Sequence, residues 1–290
     1  MFKALLFQKM KQISSFRKLA KTLKHESIWL SALGFERAPC HDSFSEFTKR
    51  IGPERLRRIF LILQSQLRIN CPGLGDRVAI DSTIVRGYTN PNRRKGTLSD
   101  PDAKWGVTGQ KVNRPMHVFG YKLHVSCDAD FGIPLDYQVT PANRSDSRLY
   151  YPTLIRTKTS GNRVSVAIAD AGYDSKRNIL LTLKHHAIPI IKLNPRRSKE
   201  KRKRRADYLL PVRRDSEEWN RYYNMRSSIE RMFSRLKLEL GLEHLRLRCL
   251  ERVEVHFAIC LIAMTAIAST AVATGQGQLA LCIEPWRYYD

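Results

Sequence analysis

Two apolar runs in this chain each stop on an aspartate: Val78-Ala79-Ile80-Asp81 and Val164-Ser165-Val166-Ala167-Ile168-Ala169-Asp170. Runs this short, apolar and bounded by polar residues read as buried strands. Strand ends beside an open sheet are where sites assemble. A third carboxylate comes from further along. Tyr223, Arg226, Glu230 and Lys237 stand at offsets 0, 3, 7 and 14 from the first of them. At about 100° per residue they return to within roughly 60° of one another, one stripe of a helix. Met225, Ile229, Met232, Phe233, Leu236 and Leu240 fill the neighbouring arc and can pack that helix on a core. Alone, the stripe is equally a solvated face with an i,i+4 Arg–Glu pair. Set beside two strand-end aspartates, Glu230 completes what a hard divalent cation needs.

The 290 residues allow a domain of about 200 residues and a smaller one. A hydrophobic content of 42% excludes a disordered chain, and the net charge of +24 points to a polyanion as partner. Ribosomal and chromatin-type proteins share the charge but rarely such long apolar strands. The six cysteines form no Cys-x-x-Cys pair and no zinc-spaced cluster, which suits reduced thiols in a cytoplasmic protein. The N-terminus is basic and amphipathic without a signal-peptide core. Phe257–Thr274 carries no charge over a nearly membrane-spanning length. Diluted by Ala, Thr and Ser and without a second such segment, it reads as a buried helix, so no membrane partner is expected.

Residues 14–70 read as short basic helices: Phe16–Leu23, Ile28–Leu33 stopped by Gly34, one capped by Asp42 or Ser43 and ended by Gly52, and Arg55–Leu67 opened by Pro53. Tight turns between them suggest a helix-turn-helix-like, DNA-binding module, a plain bundle being the alternative. Ile69–Gly75 looks like a linker. Gly87–Pro115 reads as a polar loop in which Arg93, Arg94, Lys95, Lys104 and Lys111 surround Trp105, a mixture suited to phosphate contact and base stacking, or else an ordered hairpin with Trp105 packed down. Phe119–Asp128 and Ile133–Thr140 read as an antiparallel pair turning at Asp130-Phe131-Gly132. Asp146 reads as a helix cap and His124 as a core residue. After Asp170 come a helix near Ser175–His185 and a strand, Ile188–Leu193. Arg196–Arg205 holds eight basic residues in ten, Arg196 and Arg197 first, and needs phosphate to stop repelling itself.

These residues carry a resemblance. Ala79-Ile80-Asp81-Ser82-Thr83, then Ser99–Gly106, Gly120-Tyr121-Lys122-Leu123-His124, Thr140-Pro141-Ala142-Asn143, Ala169–Asp174 and Tyr-x2-Arg-x3-Glu-x6-Lys at 223–237 follow in order over about two hundred residues. The chain resembles DDE transposases of bacterial and archaeal insertion sequences, those grouped with insertion sequences 4 and 5. The resemblance implies an α/β fold with a ribonuclease-H-like mixed sheet flanked by helices. It divides the chain into a small all-α DNA-binding domain, residues 1–70, and a catalytic domain, residues 71–290. It makes Asp81, Asp170 and Glu230 the catalytic, metal-holding triad for two Mg²⁺ or Mn²⁺ ions, and sets Tyr223, Arg226 and Lys237 on the DNA-end side of it. Trp105, Arg93, Arg94, Arg196 and Arg197 are further expected DNA contacts. The implied activity is binding of terminal inverted repeats in double-stranded DNA, with cleavage and transfer into target DNA by a nucleoid-associated homodimer on paired ends. A nuclease of the same fold that only cuts, or an inactive DNA-binding derivative, would share much of this pattern. The intact triad argues against the second, and a helical reader module against the first. Only 230 − 170 = 60 residues separate Asp170 from Glu230, too few for the large β-rich insertion of the insertion-sequence-4 group that supports hairpin-forming cleavage.

Overall fold

In the computed structural model, which describes residues 1–91, 99–111, 114–194 and 209–284, strand β1 (Arg77–Arg86) is the centre of a six-stranded mixed sheet. On one side it pairs antiparallel with β3 (Arg114–Asp128), which pairs antiparallel with β2 (Lys104–Lys111) along its first half and with β4 (Pro134–Pro141) along its second. On the other side β1 pairs parallel with β5 (Val166–Ala169), and β5 parallel with β6 (Ile188–Ile191). An antiparallel meander joined through its first strand to parallel crossover strands, in the order β4-β3-β1-β5-β6, is the ribonuclease-H-like arrangement.

Of the two readings of residues 87–115, the ordered hairpin holds for Lys104–Lys111, a strand that pairs with β3 and lengthens it back to Arg114. Trp105 meets Phe119 edge-on at 5.4 Å between ring centres while remaining 49% exposed, half packed down and half available. Close approach at the β1–β3 pair needs Gly120, where an added Cβ would lie 2.1 Å from the Val85 carbonyl oxygen.

Both faces of the sheet are covered. Val78, Ile80, Ala167, Ala169 and Ile191 share a core with Tyr150 and Leu154 of α5 (Asp146–Thr159) and Ile179 of α6 (Lys176–Lys184). Ala79, Ile168 and Ile190, one residue out of phase, share the opposite core with α8 (Ser227–Leu238) and α9 (Leu250–Ala273), α7 being Glu217–Asn224. Helix α9 is apolar and long enough to cross a membrane, with mean hydropathy 2.0 over an 18-residue window, yet 78% of that window is buried inside the protein. It serves as a core helix.

The N-terminal helices are α1 (Phe2–Met10), α2 (Phe16–His25), α3 (Ser27–Ala32) and α4 (His41–Asn70). Helix α4 breaks at Gly52, whose φ of +63° permits the turn, so the expected third and fourth helices are its two halves. Its second half is fastened to β4: Phe60 meets Tyr137 at 5.5 Å, and Arg57 pairs with the buried Asp136. Residues 1–70 therefore share one continuous core with the sheet.

Candidate active site

Side chains alternate across a strand, and this decides where the aspartates stand. Asp81 follows Ala79 by two residues and Asp170 follows Ile168 by two, so both belong to the α8 face of the sheet. The parallel register pairs Ala79 with Ile168 and Ile80 with Ala169, which brings Asp81 and Asp170 abreast just where β5 ends. Asp170 caps the short 3₁₀ turn that follows, accepting from the Gly172 N–H at 2.8 Å. The Asp81 carboxylate accepts from the Ser82 N–H at 2.7 Å. Its side chain is 20% exposed, against 56% for Glu230 on the packed helix.

Arg226 joins the two layers. Its guanidinium lies 3.4 Å from Asp81 and donates to Glu230, placing a fixed cation between a strand carboxylate and a helix carboxylate. Even so, burial first and the neighbouring Asp170 second raise the Asp81 carboxyl to about 7, against the pull of the Ser82 N–H and Arg226. A carboxyl that stays protonated near neutrality beside a second carboxylate lacks positive charge.

Tyr223 belongs to α7 and Glu230 to α8, so the expected single helical stripe is two helices joined by a tight turn. The turn runs on i→i+3 bonds such as Arg226 N–H to Tyr223 C=O at 3.0 Å, and the residues stay on one side. Tyr223 stacks on Trp219 at 4.7 Å, with Arg226 at 5.8 Å and Lys192 at 5.6 Å from its ring centre. Lys192 directly follows β6 as Asp170 follows β5, and reasoning from the sequence missed it. Asp81, expected at a strand end, instead lies midway along β1, which continues to Arg86 through its pairing with β3. Lys237 is turned to Glu243 at 3.1 Å. Arg93, Arg94, Arg196 and Arg197 lie outside the described residues.

Behind β1, on the α5 face, lies a polar network that sequence reasoning also missed. Asp146 heads α5 but makes no cap bond; Ser145 is the N-cap residue, and the Asp146 carboxylate receives the Ser82 hydroxyl at 2.7 Å and the Lys122 amine at 3.0 Å. This corrects the reading of Asp146 as a cap. His124 lies buried beside it, its Nδ1 3.7 Å from Asp146, and burial lowers its pKa to about 4, so the ring is neutral. Among the described residues, the acidic or thiol ligand atoms that all lie within 4.8 Å of one another are those of Asp100, Asp102 and Cys249. Asp100 and Asp102 accept the Cys249 and Leu250 N–H groups at 3.1 and 2.9 Å, capping α9 from a distant loop.

The transposase DDE domain matches residues 72–266, a span holding Asp81, Asp170 and Glu230. The chain belongs to the DDE transposase family. No curated protein matches its sequence. Among solved structures it is similar to a Mos1 transposase paired-end complex with the left transposon end, at 14% identity over 77% of this chain and 74% of that one, TM-score 0.26. A Mos1 strand transfer complex is 15% identical over 88% and 74%, TM-score 0.29. A Mos1 mariner paired-end complex with Mn is 16% identical over 78% and 62%, TM-score 0.26. Those likenesses are slight, and membership of the DDE family rests on the domain match.

Proposed function

We propose that this DDE-family protein is an insertion-sequence transposase that binds the terminal inverted repeats of its element and catalyses metal-dependent DNA strand cleavage and transfer. One observation carries the reading: Asp81, midway along β1, and Asp170, just past the end of β5, stand abreast on one sheet face, and Arg226 bridges Asp81 to Glu230 on the helix packed against that face. The donor set fits Mg²⁺ or Mn²⁺, which take carboxylate oxygens and keep much of their water. The raised Asp81 carboxyl also fits, because it marks a charge deficit that a divalent cation fills.

Asp81, Asp170 and Glu230 would hold the metal, two ions per site. Bound there, the ions supply Lewis acidity to the scissile phosphate and make a water or a 3′-hydroxyl nucleophilic. The protein's own residues do the positioning. Arg226, set between Asp81 and Glu230, would grip a phosphate in bidentate fashion. Tyr223, braced by Trp219, presents its phenol beside that phosphate, and Lys192 adds charge. Trp105, half exposed at the sheet edge, offers a base-stacking face. Residues 1–70 act as the repeat reader, while Arg93, Arg94, Arg196 and Arg197 add sequence-blind contacts. Among the described residues there is one such carboxylate set, so coordinated cuts at two ends call for a homodimer on paired ends.

Strand cleavage of repeat-end DNA tests the reading. Cleavage should need Mg²⁺ or Mn²⁺ and should disappear in Asp81→Ala, Asp170→Ala and Glu230→Ala, with DNA binding retained. Cleavage that persists in EDTA, or in any one of the three variants, would overturn it.

A further inference from the structure

A concavity of about 530 Å³ lies away from the three carboxylates, where α1, the start of α2, the start of α4 and α9 meet. Its charged lining is strongly one-sided, Lys9, Arg17, Arg246 and Arg252 against the single carboxylate of Asp42, with His41, 3.2 Å from Asp42, and His244 completing it. Lys9 is the unusual member. Only 7% of it is exposed, and its amine donates to Nδ1 of His256 at 2.8 Å. The other ring nitrogen of His256 faces the Leu242 carbonyl at 3.0 Å, so the imidazole is neutral: it accepts from Lys9 and donates to the backbone. Among the described residues no carboxylate pairs with Lys9. A buried ammonium with only a neutral partner is strongly disfavoured unless an anion completes it. Burial accordingly depresses the Lys9 pKa. The first turn of the ten-residue helix α2, Phe16 and Arg17 included, opens on the same space with its positive dipole end.

We propose that this pocket binds a phosphate group, with Lys9 as its buried anchor and Arg17, Arg246 and Arg252 around it. The phosphate comes either from the backbone of bound DNA or from a small free phosphate ester. In the first case the pocket ties the N-terminal helices and α9 to the DNA at a point separate from the cleavage site. None of the residues assigned to cleavage lines it, so the two assignments fail independently.

The test is thermal unfolding of the full chain, with inorganic phosphate against chloride at matched ionic strength, together with the salt dependence of DNA binding. Phosphate should raise the melting temperature of the native protein by a few degrees. Lys9→Met should melt above the native protein in phosphate-free buffer and lose the phosphate response. Arg246→Gln, an exposed change that leaves the core intact, should weaken the response and decides the matter if Lys9→Met fails to fold. If the occupant is DNA, each variant lowers the log–log salt slope by about 0.9, one phosphate contact, and inorganic phosphate competes with DNA. If it is a small phosphate ester, the slope is unchanged while the phosphate response is still lost. A phosphate response kept in full by both variants, or neither a response nor a slope that depends on Lys9 and Arg246, would overturn the proposal.

Discussion

Arg226 stands where positive charge is needed, between Asp81 and Glu230, and Asp81 remains short of it. The consequence for stability has a definite sign. The carboxyl is raised from 3.8 to about 7, so the fold holds a proton that the unfolded chain releases earlier. The stability this group contributes is complete below about pH 4 and is lost as pH rises through about 7, up to about 4 kcal/mol for a shift of this size. Asp81→Asn should therefore raise the stability of the metal-free protein at pH 8 by a few kcal/mol and flatten its pH profile, while abolishing cleavage. Urea unfolding at pH 5 and pH 8 measures this, and a variant less stable than native at pH 8 would contradict it. On the other face of β1, Asp146 balances Lys122, which is 6% exposed. Asp146→Ala should cost about 1–3 kcal/mol by leaving that amine and the Ser82 hydroxyl without their shared acceptor. Chemical unfolding at neutral pH checks it; a cost within experimental error would mean that water replaces the carboxylate.

At the scale of elements, the site follows from strand alternation. Because β1 and β5 are buried on both faces, residues two apart share a face, and Asp81 and Asp170 had to fall on the same one once the strands paired in parallel. That much was legible in the two apolar runs, as were the Gly52 break and the strand pair around Gly132. Three things were not. The turn between α7 and α8 carries neither Gly nor Pro, so nothing in the composition marks it. Strand β2 is polar, so the sequence left it open between a loop and a hairpin, and only its pairing with β3 decides. The Ser82–Asp146–Lys122 network joins residues from three elements, and only their packing brings them together. Gly120 sits at the tightest of these pairings. Gly120→Val should cost more than about 3 kcal/mol, since a side chain there meets the Val85 carbonyl and the strands must part. A melting temperature within a degree or two of native would show that the β1–β3 pair gives way easily.

Across the whole molecule the division of labour and the division of the core do not coincide. Residues 1–70 are proposed to read DNA, yet α4 covers β4 and α1 covers α9, whose apolar residues would otherwise meet water. The isolated segment 71–290 should thus be aggregated or molten, lacking near-ultraviolet circular dichroism while keeping its helical signal. A soluble, cooperatively unfolding fragment would mean that the shared core contributes little. The +24 charge acts at the same scale, opposing close association of two copies of the chain without a neutralising polyanion. The central claim is that Asp81, Asp170 and Glu230 together form one metal site, and anomalous diffraction from crystals soaked in Mn²⁺ tests it most directly. The account predicts Mn²⁺ peaks bounded by these three carboxylates, with Arg226 swung away and the peaks lost in Asp170→Ala. Mn²⁺ bound only elsewhere, for example at Asp100 and Asp102, with the Arg226 bridge intact, would contradict it.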